Sequence, residues 1–114
     1  MNEREVKITD TLRDFGVTAN LNGYKYLKYA IEFMLHQSAG TKVSTMFLYE
    51  EVAEEFDTST HCVERACRYA IHEGWMYCDK DKIHSVFGNN EDVPTTGKFI
   101  RIISNYLRML LKEE

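Results

Sequence analysis

The segment THCVERACRYAIHEG, from Thr60 to Gly74, decides the fold of this sequence because its residues separate into two helical faces. At about 100° per residue, the small and apolar residues share one arc. They are Val63, Ala66, Cys67, Ala70, Ile71 and Gly74. The opposite arc is a polar stripe formed by His61, Arg65, Arg68 and His72, with Glu64 and Tyr69 beside it. The pattern predicts an amphipathic helix that packs on a core and exposes two arginines.

A second helix is predicted just before it, over residues 45–56, and Asp57-Thr58-Ser59 joins the two, with Ser59 as the capping residue. Its apolar arc contains Leu48, Tyr49, Val52, Ala53 and Phe56. Its opposite arc contains Glu50, Glu51, Glu54 and Glu55. Two short amphipathic helices with so tight a connection are compatible with a helix-turn-helix over about residues 45–74, although any small bundle contains similar pairs.

The rest of the chain also has helical periodicity, and no alternating strand pattern is present. Further helices are predicted over residues 8–15, 22–37, 80–87 and 96–112, with Gly16 ending the first of them. The last helix has an apolar face made of Phe99, Ile102, Ile103, Tyr106, Leu107 and Leu110. Trp75 is expected to close the core just beyond the segment quoted above. The sequence therefore predicts one all-α domain of five to six helices.

Composition excludes several classes of protein. Of the 114 residues, 44% are hydrophobic and 28% are charged. A chain of this length and hydrophobic content can form a single core without disulfides or metal. No apolar run is long enough to span a membrane, and the charged N-terminus is unlike a signal peptide. We therefore expect a cytoplasmic protein whose three cysteines are free thiols.

No catalytic, cofactor or metal motif is present, so we expect neither an enzyme nor a small-molecule substrate. The only candidate zinc ligands are His61, Cys62, Cys67, Cys78 and His84, and they include no closely spaced pair of the kind that structural zinc sites use. We therefore expect no metal and no cofactor.

The polar stripe has the composition of a DNA-reading helix. Arginine donates two parallel hydrogen bonds to the major-groove edge of guanine, and a nearby carboxylate accepts from cytosine. The alternative is that the stripe is only the solvated face of an amphipathic helix. Charge opposes the first interpretation, because residues 50–73 carry seven acids and two arginines and the whole chain has a net charge of −4.

Several segments, in this order along the chain, resemble one known family. They are Ile8-Thr, Phe15-Gly-Val, Gly23-Tyr-Lys-Tyr-Leu, Val63-Glu-Arg-Ala-Cys-Arg-Tyr-Ala-Ile, Trp75, Ser85-Val-Phe-Gly, Pro94-Thr and Phe99-Ile. The family is the C-terminal DNA-binding effector domain of the sporulation master response regulator. The resemblance implies a six-helix domain that binds double-stranded DNA through a helix-turn-helix and regulates transcription.

The resemblance also implies roles for individual residues. Glu64, Arg65 and Arg68 would contact bases and the DNA backbone, and Lys112 stands where a late lysine of the family approaches DNA. Independently of the resemblance, the position of His61, Tyr69 and His72 in or beside the polar stripe leads us to expect supporting backbone or base contacts from them. Family members bind tandem sites, so we expect a homodimer on DNA, with RNA polymerase or a related regulator as a protein partner.

The sequence also departs from the family pattern. Cys62 and Tyr69 replace an arginine and a histidine, and Glu54-Glu55 replaces a pair of lysines. These 114 residues contain no receiver domain. A second hypothesis follows, in which this receiver-less relative is a protein–protein interaction module or an antagonist that uses the acidic arc of residues 50–55.

Overall fold

Six α-helices account for most of residues 2–111, which are the residues that the computed structural model describes. They are α1 (Glu3–Asp14), α2 (Gly23–Leu35), α3 (Thr45–Glu55), α4 (Thr60–Tyr77), α5 (Lys80–Phe87) and α6 (Thr96–Leu111). No strand occurs in that range, so the all-α prediction is confirmed and the number of helices is six. The helices surround one core, to which all six contribute buried side chains.

Helix α1 begins at Glu3, earlier than the predicted residue 8. Asn2 and Glu5 form a capping box, in which the Asn2 side chain accepts from the Glu5 backbone N–H at 2.8 Å and the Glu5 carboxylate accepts in return. The helix ends at Asp14, and Gly16, which has a φ of 80°, terminates it as predicted. Val17 N–H then donates to the Leu12 carbonyl at 2.8 Å, the bond that closes a Schellman motif.

Helix α4 continues through Gly74 to Tyr77, so the predicted end at Gly74 is wrong. Gly74 is there for close packing, since a Cβ on it would collide with the carbonyl oxygen of Phe15. A Cβ on Gly16 would in turn lie 2.6 Å from the Gly74 Cα. The end of α1 therefore crosses α4 at backbone contact, which only glycine permits.

The connection between α3 and α4 is residues 56–59. Thr58 N–H donates to the Ala53 carbonyl at 2.9 Å, and Asp57 adopts the left-handed conformation with a φ of 53°. Ser59 then caps α4 as predicted by accepting from the Cys62 N–H at 3.1 Å. These consecutive caps fix the direction in which the chain leaves α3 and enters α4.

The core confirms most of the predicted faces, and α6 is the exception. Val63, Cys67, Ala70, Ile71 and Gly74 are buried, Ala66 is partly buried, and α3 buries Leu48, Val52 and Ala53. In α6 the buried face is rotated from the predicted one. Leu110 is 45% exposed, whereas Ile100, Ser104 and Arg108 are buried.

Trp75 closes the core as expected, within an aromatic cluster at the end of α4. Its ring stacks on Phe15 with centroids 6.3 Å apart and meets the edge of Phe87 at 5.0 Å. Its indole N–H donates to the Glu91 carbonyl at 2.8 Å, which attaches the loop of residues 88–95 to α4. Within residues 2–111, no helix has the length and hydropathy needed to cross a membrane.

Candidate nucleic-acid interface

The polar stripe lies on the outer surface of α4. Its members His61, Arg65, Arg68 and His72 are all exposed, as is Tyr69 beside them, and Glu64 is partly buried. The structure thus places six of the seven predicted site residues on one helix surface. The seventh, Lys112, lies outside the described residues.

Glu64 and Arg68 form an ion pair one helical turn apart. The Arg68 Nε donates to the Glu64 Oε2 at 2.9 Å, and the Arg68 side chain is still 59% exposed. An exposed i,i+4 pair adds little stability, so its main effect is on orientation. Arg65 forms no ion pair with any residue of the range 2–111, and its guanidinium group is exposed.

Two surface grooves run along the sides of the polar stripe. The groove on the Arg68 side has a volume of about 360 Å³ and is bounded by the first turns of α3 and α6. Its lining residues outside α4 are Thr45, Tyr49, Val93, Pro94, Thr95, Thr96 and Gly97. The groove on the Arg65 side has a volume of about 450 Å³ and is lined from α2 and its N-cap by Asn22, Lys25 and Tyr26.

These grooves contain site residues that the sequence analysis did not identify. Lys25 adds a third cation beside Arg65, with its Nζ 5.4 Å from the ring centres of Tyr26 and Phe56. On the Arg68 side, Thr45 and Thr95 place the N-terminal ends of α3 and α6, with their backbone amides, at the groove. These two helix ends lie close together, since a Cβ on Gly97 would collide with the Thr45 hydroxyl. No local pattern predicts these neighbours, because they come from three other helices.

Two cysteines of α4 lie in opposite environments. Cys62 is exposed in the Arg65-side groove. Hydrogen bonds from Ser59 and Thr58, with the charge of Arg65, lower the pKa of its thiol. Cys67 faces the core, and burial raises the pKa of its thiol to about 12. Because the thiolate is the reactive form, Cys62 is the thiol of the two that a reagent would attack.

An acidic surface lies to the side, formed by Glu51, Glu54 and Glu55 of α3 with Glu32 of α2. All four carboxylates act on Tyr29, whose pKa is raised by burial first and then by their negative charges. None of the four lines either groove beside the polar stripe. The glutamates predicted on the outer arc of α3 therefore face α2 and solvent rather than the arginines.

The arrangement is typical of one class of protein. A small helical domain that exposes two arginines on one helix, between the N-terminal ends of other helices, has the features of a DNA-binding domain. The model of the family described as "Sporulation initiation factor Spo0A C terminal" matches residues 8–107, and the chain belongs to that family. The family is a DNA-binding domain of transcription regulators, which confirms the expected DNA-binding class.

Proposed function

We propose that this protein is a sequence-specific transcription regulator whose α3 and α4 form a helix-turn-helix, with α4 inserted in the major groove of double-stranded DNA. Arg65 and Arg68 read bases, and Glu64 orients Arg68. His61, Tyr69 and His72 contact the backbone or neighbouring bases, and Lys112 supports them. In this role the protein is a cytoplasmic binding protein, not an enzyme.

The observation that carries the proposal is the Glu64–Arg68 pair. Its 2.9 Å hydrogen bond through Nε holds the guanidinium group in one orientation and still leaves the side chain mostly exposed. Base reading needs such a preset orientation, since two parallel hydrogen bonds form only if the guanidinium plane matches the guanine edge.

Neighbouring groups supply what the polar stripe lacks for backbone binding. Amide groups at helix N-termini attract phosphate, and the first turns of α3 and α6 line the Arg68-side groove. Lys25 lies in the other groove. Phosphate contacts on both sides of α4 would position it along the groove, while the arginines select the sequence.

The first experiment is selection of a binding site from random duplex DNA, followed by titration of the selected duplex at several salt concentrations. Arg68→Ala should cost about 1–3 kcal/mol on the selected site and relax the sequence preference. Arg68→Lys should recover little of that affinity, because lysine keeps the positive charge but cannot donate two parallel hydrogen bonds to one base. Arg13→Ala removes an exposed arginine from α1 and is the matched control, with unchanged affinity expected.

Alkylation of Cys62 gives an independent test of which surface meets DNA. Saturating selected duplex should slow the reaction of Cys62 with iodoacetamide, because the thiol lies between the polar stripe and Lys25. Cys67 should stay unreactive with or without DNA because it is buried. Equal rates of Cys62 alkylation in the two conditions would place the DNA elsewhere.

We also propose that two copies bind tandem sites, in contact with RNA polymerase or a related regulator, as expected from the family resemblance. Duplexes with one and two copies of the selected site would test the first part by their binding stoichiometry. Two copies should bind the double site with higher affinity per copy than the single site.

The acidic surface favours a second candidate function, a protein–protein interaction module or antagonist. Four carboxylates whose charges all act on one tyrosine form a negative patch that suits a basic partner. Glu54→Lys with Glu55→Lys should abolish such a complex, whereas Arg65→Ala with Arg68→Ala should leave it intact. If the arginine variant abolished the complex and the glutamate variant left it intact, the partner would bind through α4 instead.

A further inference from the structure

A further cavity lies farther along α6 and shares no lining residue with the two grooves described above. It has a volume of about 440 Å³ and lies between the end of α2, the connection before α3 and the middle of α6. Its lining residues are Met34, Gly40, Thr41, Lys42, Val43, Arg101, Asn105 and Arg108. The volume is in the range of small-molecule sites, about 300–1,000 Å³.

Arg108 is the unusual residue of this cavity because it is charged and only 8% exposed. Its Nη2 donates to the carbonyl of Met34 near the end of α2. Its Nε has no hydrogen-bond acceptor anywhere in residues 2–111. A buried guanidinium group with an unused donor is costly, and an anion within reach would remove much of that cost.

The lining has the charge of an anion site. Arg101, Asn105 and Arg108 follow one another at i, i+4 and i+7, so they form a line along α6, and Lys42 faces them from the connection. No carboxylate lines the cavity. Within residues 2–111, no carboxylate forms an ion pair with Lys42, Arg101 or Arg108. The rest of the wall includes the apolar side chains of Met34 and Val43.

We infer that this cavity binds a small organic anion, with its carboxylate or phosphate group at Arg101 and Arg108 and its apolar part against Met34 and Val43. Arginine suits this role because its planar donors match both kinds of anion. The ligand would also touch residues 40–43, which lead directly into α3. The inference does not depend on the proposed DNA-reading role of α4.

Nuclear magnetic resonance with benzoate as the probe tests this inference, and benzamide is its neutral counterpart of equal shape. Benzoate should shift the Arg108 Nε–H signal and the amides of residues 40–43, whereas benzamide should shift them at least tenfold more weakly at equal concentration. Arg101→Gln should raise the dissociation constant of benzoate about tenfold, which is the usual effect of losing one charge-assisted hydrogen bond.

Lys98→Gln is the matched control, since it removes one cation from α6 outside the cavity, and benzoate binding should not change. Arg108→Gln is a second variant, used once circular dichroism has shown that it folds, and it should also weaken benzoate binding. Benzoate and benzamide shifts of equal size would overturn the inference, as would no shift at all, and Arg108 would then only stabilise the end of α2.

A DNA titration separates this site from an extended DNA interface. Selected duplex should leave the Arg108 Nε–H signal in place, and Arg101→Gln should keep its DNA affinity within about twofold. A duplex-induced shift of that signal, together with failure of benzoate to produce one, would assign the cations to a DNA phosphate and overturn the inference.

Discussion

The outer faces of α3 and α4 are neighbours in the same helix pair, and they carry opposite charge. On α4, Arg65 and Arg68 stand exposed between two grooves. On α3, the exposed residues include Glu54 and Glu55, which raise the pKa of Tyr29 on α2. Both helices pack on the core through similar apolar arcs, so the fold does not decide which charge each outer face carries.

The difference shows why net charge is a poor guide to this interface. The negative balance of residues 50–73 taken alone argues against DNA binding. In the structure the carboxylates of the acidic surface gather beside α2 and line neither groove. Water and salt screen exposed charges that are more than about 10 Å apart, so placement matters more than the sum.

The largest effect is expected from reversing the charge on α4. Arg65→Glu with Arg68→Glu should cost at least about 3 kcal/mol of binding to the selected duplex, because the two proposed base contacts would be lost and repulsion added. Fluorescence anisotropy titrations would measure the affinity, and Arg13→Glu would be the matched control on α1. Retention of affinity within threefold would remove the polar stripe from the interface.

A smaller effect is expected from Gly74→Ala, which tests the contact that holds α4 in place. Helix propensity alone would favour alanine by about 1 kcal/mol. Collision with the Phe15 carbonyl should outweigh this and leave a net loss of about 2 kcal/mol in the free energy of unfolding. Urea denaturation would measure it, with Met76→Ala, an exposed position in the same turn, expected within about 0.5 kcal/mol. A stabilised Gly74→Ala would mean that α1 and α4 are not in backbone contact.

Reversing the charge on α3 should have a still smaller effect on DNA. Glu54→Lys with Glu55→Lys should strengthen binding about threefold at low salt, by long-range attraction alone, and the gain should disappear at high salt. Anisotropy titrations at two ionic strengths would show this. A tenfold gain that persists in salt would place the acidic surface against DNA.

The smallest change concerns the acidic surface alone. Glu54→Gln with Glu55→Gln should lower the pKa of Tyr29, because negative charge nearby disfavours the tyrosinate form. The fall should be partial, since burial is the larger cause of the raised pKa. A pH titration of the Tyr29 ring carbon by nuclear magnetic resonance would measure it, with Glu3→Gln on α1 as the control. An unchanged pKa would mean that the carboxylates lie farther from the tyrosine.

The sequence predicted those features that depend on local pattern. The apolar arcs of α3 and α4, the Ser59 cap and the Gly16 stop were all predicted from spacing and residue type. The predicted end of α4 at Gly74 is wrong because the sequence does not distinguish a glycine that ends a helix from one that allows another backbone to approach closely. The early start of α1 was missed since its capping pair stands in a charged segment with no apolar period.

Parts of the two sites were beyond sequence reasoning for a different reason. Lys25 joins Arg65 only through the packing of α2 on α4. The burial of Arg108 was not predicted, because a helical pattern places an arginine in solvent by default. Nothing in the sequence indicates that the end of α2 covers its side chain. Both arrangements depend on contacts between residues distant in the chain, which neither propensity nor period encodes.

The indole of Trp75 gives this protein a built-in optical reporter, because the chain contains one tryptophan. Its hydrogen bond to the Glu91 carbonyl couples its emission to the loop of residues 88–95. The Glu91 carboxylate contacts Lys80 at 3.1 Å and His84 at 2.6 Å, and those contacts lower its pKa. The contacts therefore persist above the ordinary pKa of a glutamate and are lost as the pH falls through the lowered value. Trp75 emission should then shift at acidic pH before the helical circular dichroism signal is lost, so that the two signals together distinguish release of the loop from unfolding of the domain.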